Sequence, residues 1–198
     1  MRLTGKSVWE FASVLDWGVG CGRLARHFPA HAASALTGCD IDHDNVEWCR
    51  ANLKGRFVHS TLEPPLPFAD KLFDLIYGVS VFTHLRKELQ DKWLAELRRV
   101  TQIGGIVLVT VHGETAFEFF RTPPDDYLRL KHRIERDGLF VSGANDQLQG
   151  HVPCPADYVN VFHHQDYVTR HWGKFFDVLH VIPGYIYTHD LVVLQRTS

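Results

Sequence analysis

The stretch VLDWGVGCGRLARHF, at residues 14–28, decides the fold because it places three glycines between an apolar run and a helix-forming run. The glycines are Gly18, Gly20 and Gly22. A residue without a Cβ lets the backbone turn tightly and approach a ligand closely. The stretch therefore predicts a strand, a ligand-binding loop of the kind that holds nucleotides, and a helix over residues 22–30.

The spacing of these glycines distinguishes two kinds of nucleotide ligand. Loops that bind dinucleotides carry G-x-G-x-x-G and face a pyrophosphate. This loop reads G-x-G-x-G, and Arg23 stands where that pattern has its last glycine. The carboxylate of Asp16, just before the loop, would repel a pyrophosphate and attract a cation. The sequence therefore favours a ligand that joins a nucleoside to a positively charged amino acid.

Strand-like and helix-like segments alternate through the first part of the chain. Short apolar runs predict strands at residues 13–18, 34–40, 56–60, 72–80 and 104–113. Helical patterns follow at residues 44–53, which Asp44 can cap and Gly55 can end, and at residues 87–100. This alternation predicts an α/β fold with a doubly wound, mostly parallel sheet, in which ligands bind at the carboxyl ends of the strands.

The last part of the chain departs from this alternation. Residues 174–196 read as two strands around the turn IPGY, and this connection is too short for a helical crossover, so we expect an antiparallel hairpin at the sheet edge. Before it lies an insertion at residues 114–173, with predicted helices and a stretch rich in glycine and proline. A long insertion at the carboxyl edge is where a substrate lid would be built.

Composition limits the classes of function. The chain has 198 residues, 45% of them hydrophobic, which predicts one domain over residues 1–198. A net charge of −2 gives no support for nucleic acid or an anionic membrane as partner. No apolar run is long enough to span a bilayer, and the four cysteines form no C-x-x-C pair. We therefore expect a cytoplasmic protein with reduced thiols.

Several motifs occur in an order that resembles one enzyme family. VLDWGVGCG, GCDID, PPLPFADKLFDLIYGVSVFTHL and WLAELRRVTQIGGIVLVT follow one another as in the class I S-adenosylmethionine-dependent methyltransferases. The resemblance covers residues 13–111 and the closing hairpin. It implies a seven-stranded Rossmann-like fold, S-adenosyl-L-methionine as cofactor, and a small-molecule acceptor as substrate.

The resemblance also implies roles for particular residues. Asp16 would lie near the amino group of the cofactor, Asp40 would accept both ribose hydroxyls, and Ile41 would pack on adenine. The backbone that holds the methionine part would come from Gly18, Gly20, Gly22, Gly78 and Val79. Many relatives carry an adenine-binding Asp after the third strand, but this chain reads HSTLEPPLPF there. Ser60, Thr61 and the backbone of Leu62 would have to serve instead, with Glu63 as a substitute.

Three histidines are candidates for acid/base chemistry. Methyl transfer is an in-line displacement, so positioning supplies most of the rate, and a base is needed only if the acceptor loses a proton. His84 and His112 fall at the carboxyl ends of predicted strands, and His163 precedes a short helical pattern. The alternative for each is a structural hydrogen bond or a helix cap.

Other readings of the sequence stay open. His151, Cys154, His163 and His164 contain zinc-ligand side chains, but their spacing follows no compact ligand pattern, so we expect no metal. A nicotinamide-dependent oxidoreductase and a non-catalytic cofactor-binding module are the rival functions. A sugar or natural-product oxygen or nitrogen is the favoured acceptor. Because few residues precede the first strand, a homodimer that completes the site is an alternative to a lid.

Overall fold

The computed structural model describes residues 6–119, 122–144 and 158–198. Its strands are β1 (Val14–Trp17), β2 (Leu36–Asp40), β3 (Arg56–His59), β4 (Phe73–Gly78), β5 (Thr101–His112), β6 (Leu139–Ala144), β7 (Val159–His163), β8 (Asp177–Ile186) and β9 (His189–Gln195). Its helices are α1 (His43–Asn52), α2 (Lys87–Val100), α3 (Thr115–Phe119), α4 (Pro124–Asp137) and α5 (Gln165–Tyr167), the last of which continues into a π-helical turn.

One sheet joins all of these strands. β3, β2, β1, β4 and β5 lie side by side and pair in parallel. β9 runs antiparallel along β5, and β8 pairs antiparallel with β9. β7 meets β5 only where His112 pairs with Phe162. The sheet confirms the predicted α/β class, mostly parallel with an antiparallel carboxyl-terminal hairpin.

The two faces of the sheet are buried against different helices. Successive strand residues point to opposite faces, so Leu15 joins the cluster that holds Trp93 of α2, whereas Val14 joins the cluster that holds Val46 of α1. Helix α2 begins and ends where its apolar stripe predicts, at Lys87 and Val100. The doubly wound arrangement leaves the carboxyl ends of β1, β2 and β4 open on one edge.

The helix predicted over residues 22–30 is wrong. The chain there makes a series of turns and a single 3-10 turn at Ala25–His27. Gly22 has φ of +71°, in the left-handed region, so an α-helix cannot begin through it. A helix that began after Gly22 would meet Pro29 within a few residues, and proline does not fit a helix interior.

Three local predictions also need correction. Asp42, not Asp44, caps α1 by accepting from the backbone N–H groups of Asp44 and Asn45, and α1 ends before Gly55. The hairpin turn lies at Tyr187 and Thr188, because the IPGY segment belongs to β8. Strands β6 and β7 within the insertion were not predicted.

The described helices are all too short or too polar to cross a lipid bilayer.

Candidate functional site

A cleft of about 300 Å³ opens at the carboxyl ends of β1, β2 and β4. It brings together the majority of the predicted site residues, namely Gly18, Gly20, Asp40, Ile41, Leu62, Val79 and His84. A second cavity of about 410 Å³, here called the side chamber, shares Gly18, Arg23, Val79 and Ser80 with the cleft. Asp16 and His189 line the side chamber. The two cavities therefore meet around the glycine loop.

The glycine loop is fixed by the strand beside it. The N–H groups of Gly18 and Val19 donate to the carbonyl of Cys39, and the N–H of Gly20 donates to Oδ2 of Asp40 at 2.7 Å. Gly18 and Gly20 have positive φ, at +78° and +52°. A Cβ on Gly18 would lie 2.5 Å from Val81, whereas one on Gly20 would meet no described atom within 4 Å. Gly20 therefore leaves free space on the cleft side of the loop.

Gly22 and Gly78 lie behind the cleft and do not line it. A Cβ on Gly22 would lie 2.3 Å from Leu53, after α1, and one on Gly78 would lie 2.8 Å from the ring of Trp17. Both glycines allow close packing that supports the loop and the end of β4.

Asp40 ends β2 and is anchored through both carboxylate oxygens. Oδ2 accepts from Gly20, and Oδ1 accepts from the N–H of Asp42 at 2.9 Å. Burial raises the pKa of this carboxyl group, and the two backbone hydrogen bonds counteract that rise. Each carboxylate oxygen has a second lone pair, so Asp40 can accept two further hydrogen bonds from a ligand in the cleft.

Asp16 lies on β1 and is 3% exposed. The hydroxyl of Tyr77 on β4 donates to its Oδ2 at 2.9 Å. Burial raises the pKa of Asp16 to about 7, the Tyr77 hydrogen bond lowers it, and the nearby Asp40 raises it further. A buried carboxylate of this kind favours a cationic group beside it.

The residues after β3 contribute unequally to the cleft. Ser60 and Leu62 line it, together with Ile41. Thr61 is exposed, and its hydroxyl donates to the carbonyl of Glu63. The carboxylate of Glu63 pairs with Lys92 at 2.6 Å. The predicted contribution of Thr61 therefore receives no support from its position, and Glu63 is engaged elsewhere.

His84 lies in the cleft wall, and its contacts identify the ring nitrogen that carries the proton. Its Nδ1 lies 2.9 Å from the carbonyl of Val159, which can only accept, so Nδ1 carries the proton in the neutral ring. Its Nε2 lies 3.3 Å from Oγ of Ser80 and is available to accept. Burial lowers the pKa of His84 to about 4, so the ring is neutral at pH 7.

His112 and His189 extend this cluster behind Ser80. Nε2 of His189 lies 3.3 Å from the same Ser80 Oγ, and its ring lies 4.7 Å from that of His112 between centroids. Burial lowers the pKa of His112 to about 3, with neighbouring histidines as further causes, and it also lowers the pKa of His189. Ser80 therefore connects two neutral imidazole rings at the place where the cavities meet.

His163 does not join this cluster. It is 1% exposed, and its Nε2 lies 3.0 Å from the amide nitrogen of Gln90 on α2. Its ring also packs near Trp172, with 5.9 Å between centroids. Burial lowers the pKa of His163 to about 3. The ring has the contacts of a core histidine.

The zinc alternative falls partly outside the described residues, since His151 and Cys154 lie there. Within the described ranges, no group of three or more His, Cys, Asp or Glu side chains is arranged to hold a metal ion.

Several residues of the two cavities have no site role predicted from the sequence, and four of them make the contacts that matter here. Ser80 and Arg23 line both cavities, His189 lines the side chamber, and Tyr158 stacks on His84 at 4.2 Å between centroids. His189 lies opposite His112 in the observed register of β9 on β5, which the position of the hairpin turn does not set. Ser80 carries no local signal apart from its place after a strand.

Residues 15–109 match the family model that is described as a methyltransferase domain. The fold is similar to a SAM-dependent methyltransferase from Methanosarcina mazei, with a TM-score of 0.60 and 17% identity over 93% of this chain and 92% of that one. It is also similar to an S-adenosylmethionine-dependent methyltransferase from Mesorhizobium loti, with a TM-score of 0.65 and 15% identity over 93% of this chain and 90% of that one. A third similar structure is the 1,6-didemethyltoxoflavin-N1-methyltransferase of Burkholderia thailandensis with bound 1,6-didemethyltoxoflavin and S-adenosylhomocysteine. Its TM-score is 0.63, with 13% identity over 94% of this chain and 72% of that one.

Proposed function

We propose that the chain is a class I S-adenosylmethionine-dependent methyltransferase, as the methyltransferase-domain match over residues 15–109 supports, and that it methylates an oxygen or nitrogen atom of a small or medium-sized acceptor. Its cofactor is S-adenosylmethionine, which supplies a methyl group on a positively charged sulfur when it is bound. The observation that carries the proposal is the cleft that places Asp40, the glycine loop and His84 around one space.

The residues present fit this cofactor. Gly20 leaves room for a ligand against the loop, and Asp40 keeps lone pairs for two ribose hydroxyls. Ile41 and Leu62 offer apolar surface for a base. We assign these four residues to the nucleoside part.

We assign the amino acid part of the cofactor to the other side of the loop. Gly18 and Val79 line both cavities, and Asp16 supplies a carboxylate for the ammonium group. Arg23 lines the same space and supplies a positive charge for the carboxylate of the cofactor. Gly22 and Gly78 would act indirectly, by allowing the packing that holds this backbone in place.

We assign proton transfer to Ser80 and His84. The neutral His84 ring presents the lone pair of Nε2 to the Ser80 hydroxyl, so this pair can take a proton from an acceptor hydroxyl or amine. A pKa of about 4 makes the ring a transient proton carrier and keeps it uncharged beside a cationic cofactor. We assign His112 to supporting His189, and we give His163 a structural role.

The insertion at residues 114–173 would cover the acceptor. Tyr158 stacks on His84, and the carbonyl of Val159 accepts from the same ring, so the insertion reaches the cleft at two points. A homodimer that completes this cover stays an alternative, which sedimentation of the active protein would decide. We also infer a cytoplasmic location, because Cys21, Cys39 and Cys49 are free thiols.

Two features bear on the nature of the acceptor. A small molecule agrees with the size of the cavities, and a natural product agrees with the toxoflavin-precursor enzyme among the similar structures. That likeness concerns the fold, so a sugar hydroxyl remains an equally allowed acceptor.

Two measurements test this function. Calorimetry should show binding of S-adenosylhomocysteine and none of NAD, because the loop has G-x-G-x-G spacing and Arg23 stands where the dinucleotide pattern has its last glycine. A screen of sugars, phenols and amines with S-adenosylmethionine should then show a product heavier by about 14 Da, one methylene. Binding without turnover on any acceptor would favour the non-catalytic module, and tight binding of NAD would favour the oxidoreductase.

A further inference from the structure

Asp16 and Tyr77 form a buried pair between neighbouring strands. The two residues are paired in the parallel register of β1 and β4, so their side chains leave the sheet on the same face. The Tyr77 hydroxyl donates to Oδ2 of Asp16 at 2.9 Å, and both residues are buried. The pair lies under the glycine loop, where Asp16 forms part of the side-chamber wall.

The pair lacks a positive charge of its own. Asp16 takes part in none of the ion pairs that occur among residues 6–119, 122–144 and 158–198. A buried carboxylate with a single neutral donor is costly to keep ionised. Such a group stays protonated until a cation arrives, and it then gives up its proton.

We propose that Tyr77 positions Asp16 for the α-ammonium group of the cofactor, and that Asp16 releases a proton when this group binds. The inference rests on the proposed cofactor orientation and adds to it a positioning residue and a proton balance. The cofactor arrives with its ammonium charged, Asp16 loses one proton to the solvent, and the bound state contains an ammonium–carboxylate pair with the Tyr77 hydrogen bond retained.

Other titratable groups face Asp16 from several elements. Asp40 and Cys39 lie on β2, and Cys49 lies on α1; burial raises the pKa of all three. Arg23 and His189 line the same chamber, and burial lowers the pKa of His189. The raised pKa values keep both thiols neutral, and the lowered pKa of His189 favours its neutral imidazole, which leaves Asp40 as the group that competes with Asp16.

Two ligands distinguish a proton released by Asp16 from a proton released by Asp40. S-adenosylhomocysteine and methylthioadenosine share the nucleoside and the sulfur, but only the first carries the ammonium group. A proton that Asp40 releases on ribose binding appears with both ligands. The difference between the ligands therefore reports the proton that Asp16 releases.

The test is calorimetry of both ligands in buffers with different ionisation enthalpies. Since burial raises the pKa of Asp16 to about 7, S-adenosylhomocysteine should release about one more proton than methylthioadenosine at pH 6. The excess should fall to about half a proton at pH 7 and close to none at pH 8. Its affinity should rise about tenfold between pH 5 and pH 6 and level off above pH 8.

Two variants test the roles of the pair. Asp16→Asn should abolish the excess proton release and weaken the binding of S-adenosylhomocysteine. Its affinity for methylthioadenosine should stay within about threefold of that of the parent. Tyr77→Phe keeps the ring but removes the donor, so the midpoint of the affinity profile should move to higher pH by about one unit. Its affinity at high pH should approach that of the parent, which a merely structural role of Tyr77 would not produce.

The outcomes separate this inference from the proposed function. Equal proton release for both ligands, or an unshifted midpoint in Tyr77→Phe, would overturn the inference while S-adenosylhomocysteine still binds. Absence of S-adenosylhomocysteine binding between pH 6 and pH 8 would overturn the inference and the proposed function together. If Asp16→Asn does not fold, the comparison of ligands on the parent protein and on Tyr77→Phe still decides.

Discussion

His112 and His189 lie directly opposite each other on β5 and β9, with 4.7 Å between their ring centroids. Through Ser80, His189 connects to His84, which follows β4. Three segments that are distant in sequence thus bring three imidazole rings together, two of them at the Ser80 hydroxyl. Because burial lowers the pKa values of all three histidines, the neutral form of each ring is favoured, and the resting cluster does not repel a cationic cofactor.

Ser80→Ala should separate binding from turnover. The change removes the hydroxyl that lies 3.3 Å from both His84 and His189, and Ala keeps the Cβ at this position of positive φ. Affinity for S-adenosylhomocysteine should stay within about threefold, whereas kcat on the acceptor that the screen identifies should fall about 10- to 100-fold. Ser34→Ala, at an exposed serine, is the control. Undiminished kcat would remove Ser80 from proton transfer.

Asp40→Ala should weaken cofactor binding. The variant loses a charged acceptor for the ribose and the anchor of Gly20, so the affinity for S-adenosylhomocysteine should fall by about 10- to 100-fold. Calorimetry measures this, with the exposed Asp44→Ala on α1 as control. Equal affinities of the parent and Asp40→Ala would contradict the assignment of Asp40 to the ribose.

Gly20→Ala can be compared with Gly104→Ala, the same substitution at another glycine of positive φ. Gly20 and Gly104 both have positive φ, and an added Cβ at either meets no described atom within 4 Å. Each substitution should destabilise the protein by about 1 kcal/mol through backbone strain, as thermal unfolding would show. Only Gly20→Ala should also weaken the binding of S-adenosylhomocysteine, because the methyl group of the new alanine would occupy the cleft. Equal binding by both variants would argue against ligand contact at Gly20.

The elements that could be predicted from sequence are those with a local cause. The apolar stripe that predicts helix α2 lies within the sequence of the helix itself. The apolar runs that predict β1 to β5 are likewise local. Asp40 and Ile41 could be placed at the site because strand ends of a parallel sheet share one edge. The family resemblance supplied their individual roles.

The failures depend on contacts across the chain. Gly22 adopts a left-handed conformation that packs it against Leu53, and nothing in residues 22–30 reveals that contact. Strands β6 and β7 are short and pair mainly with each other, so they resemble loop sequence until they meet. Ser80 and His189 likewise become neighbours only when the closing hairpin aligns with β5.

His163→Gln should have an effect on stability that depends on pH. In the folded protein burial lowers the pKa of His163 from its usual 6.5 to about 3, so the unfolded chain binds a proton over a range in which the folded chain does not. The contribution of the neutral ring to folding is therefore complete above pH 6.5 and is lost as the pH falls toward 3. A glutamine, which does not titrate, avoids that loss.

The destabilisation caused by His163→Gln should therefore be largest at pH 7 and about 2 kcal/mol smaller at pH 5. Urea unfolding of the parent and the variant at both pH values measures this difference, and effects of other buried histidines cancel where the sites do not couple. His180→Gln, at an exposed histidine on β8, is the control. The same destabilisation at pH 7 and pH 5 would mean that the buried ring takes up a proton beside Gln90, which would restore His163 as a candidate for acid/base chemistry.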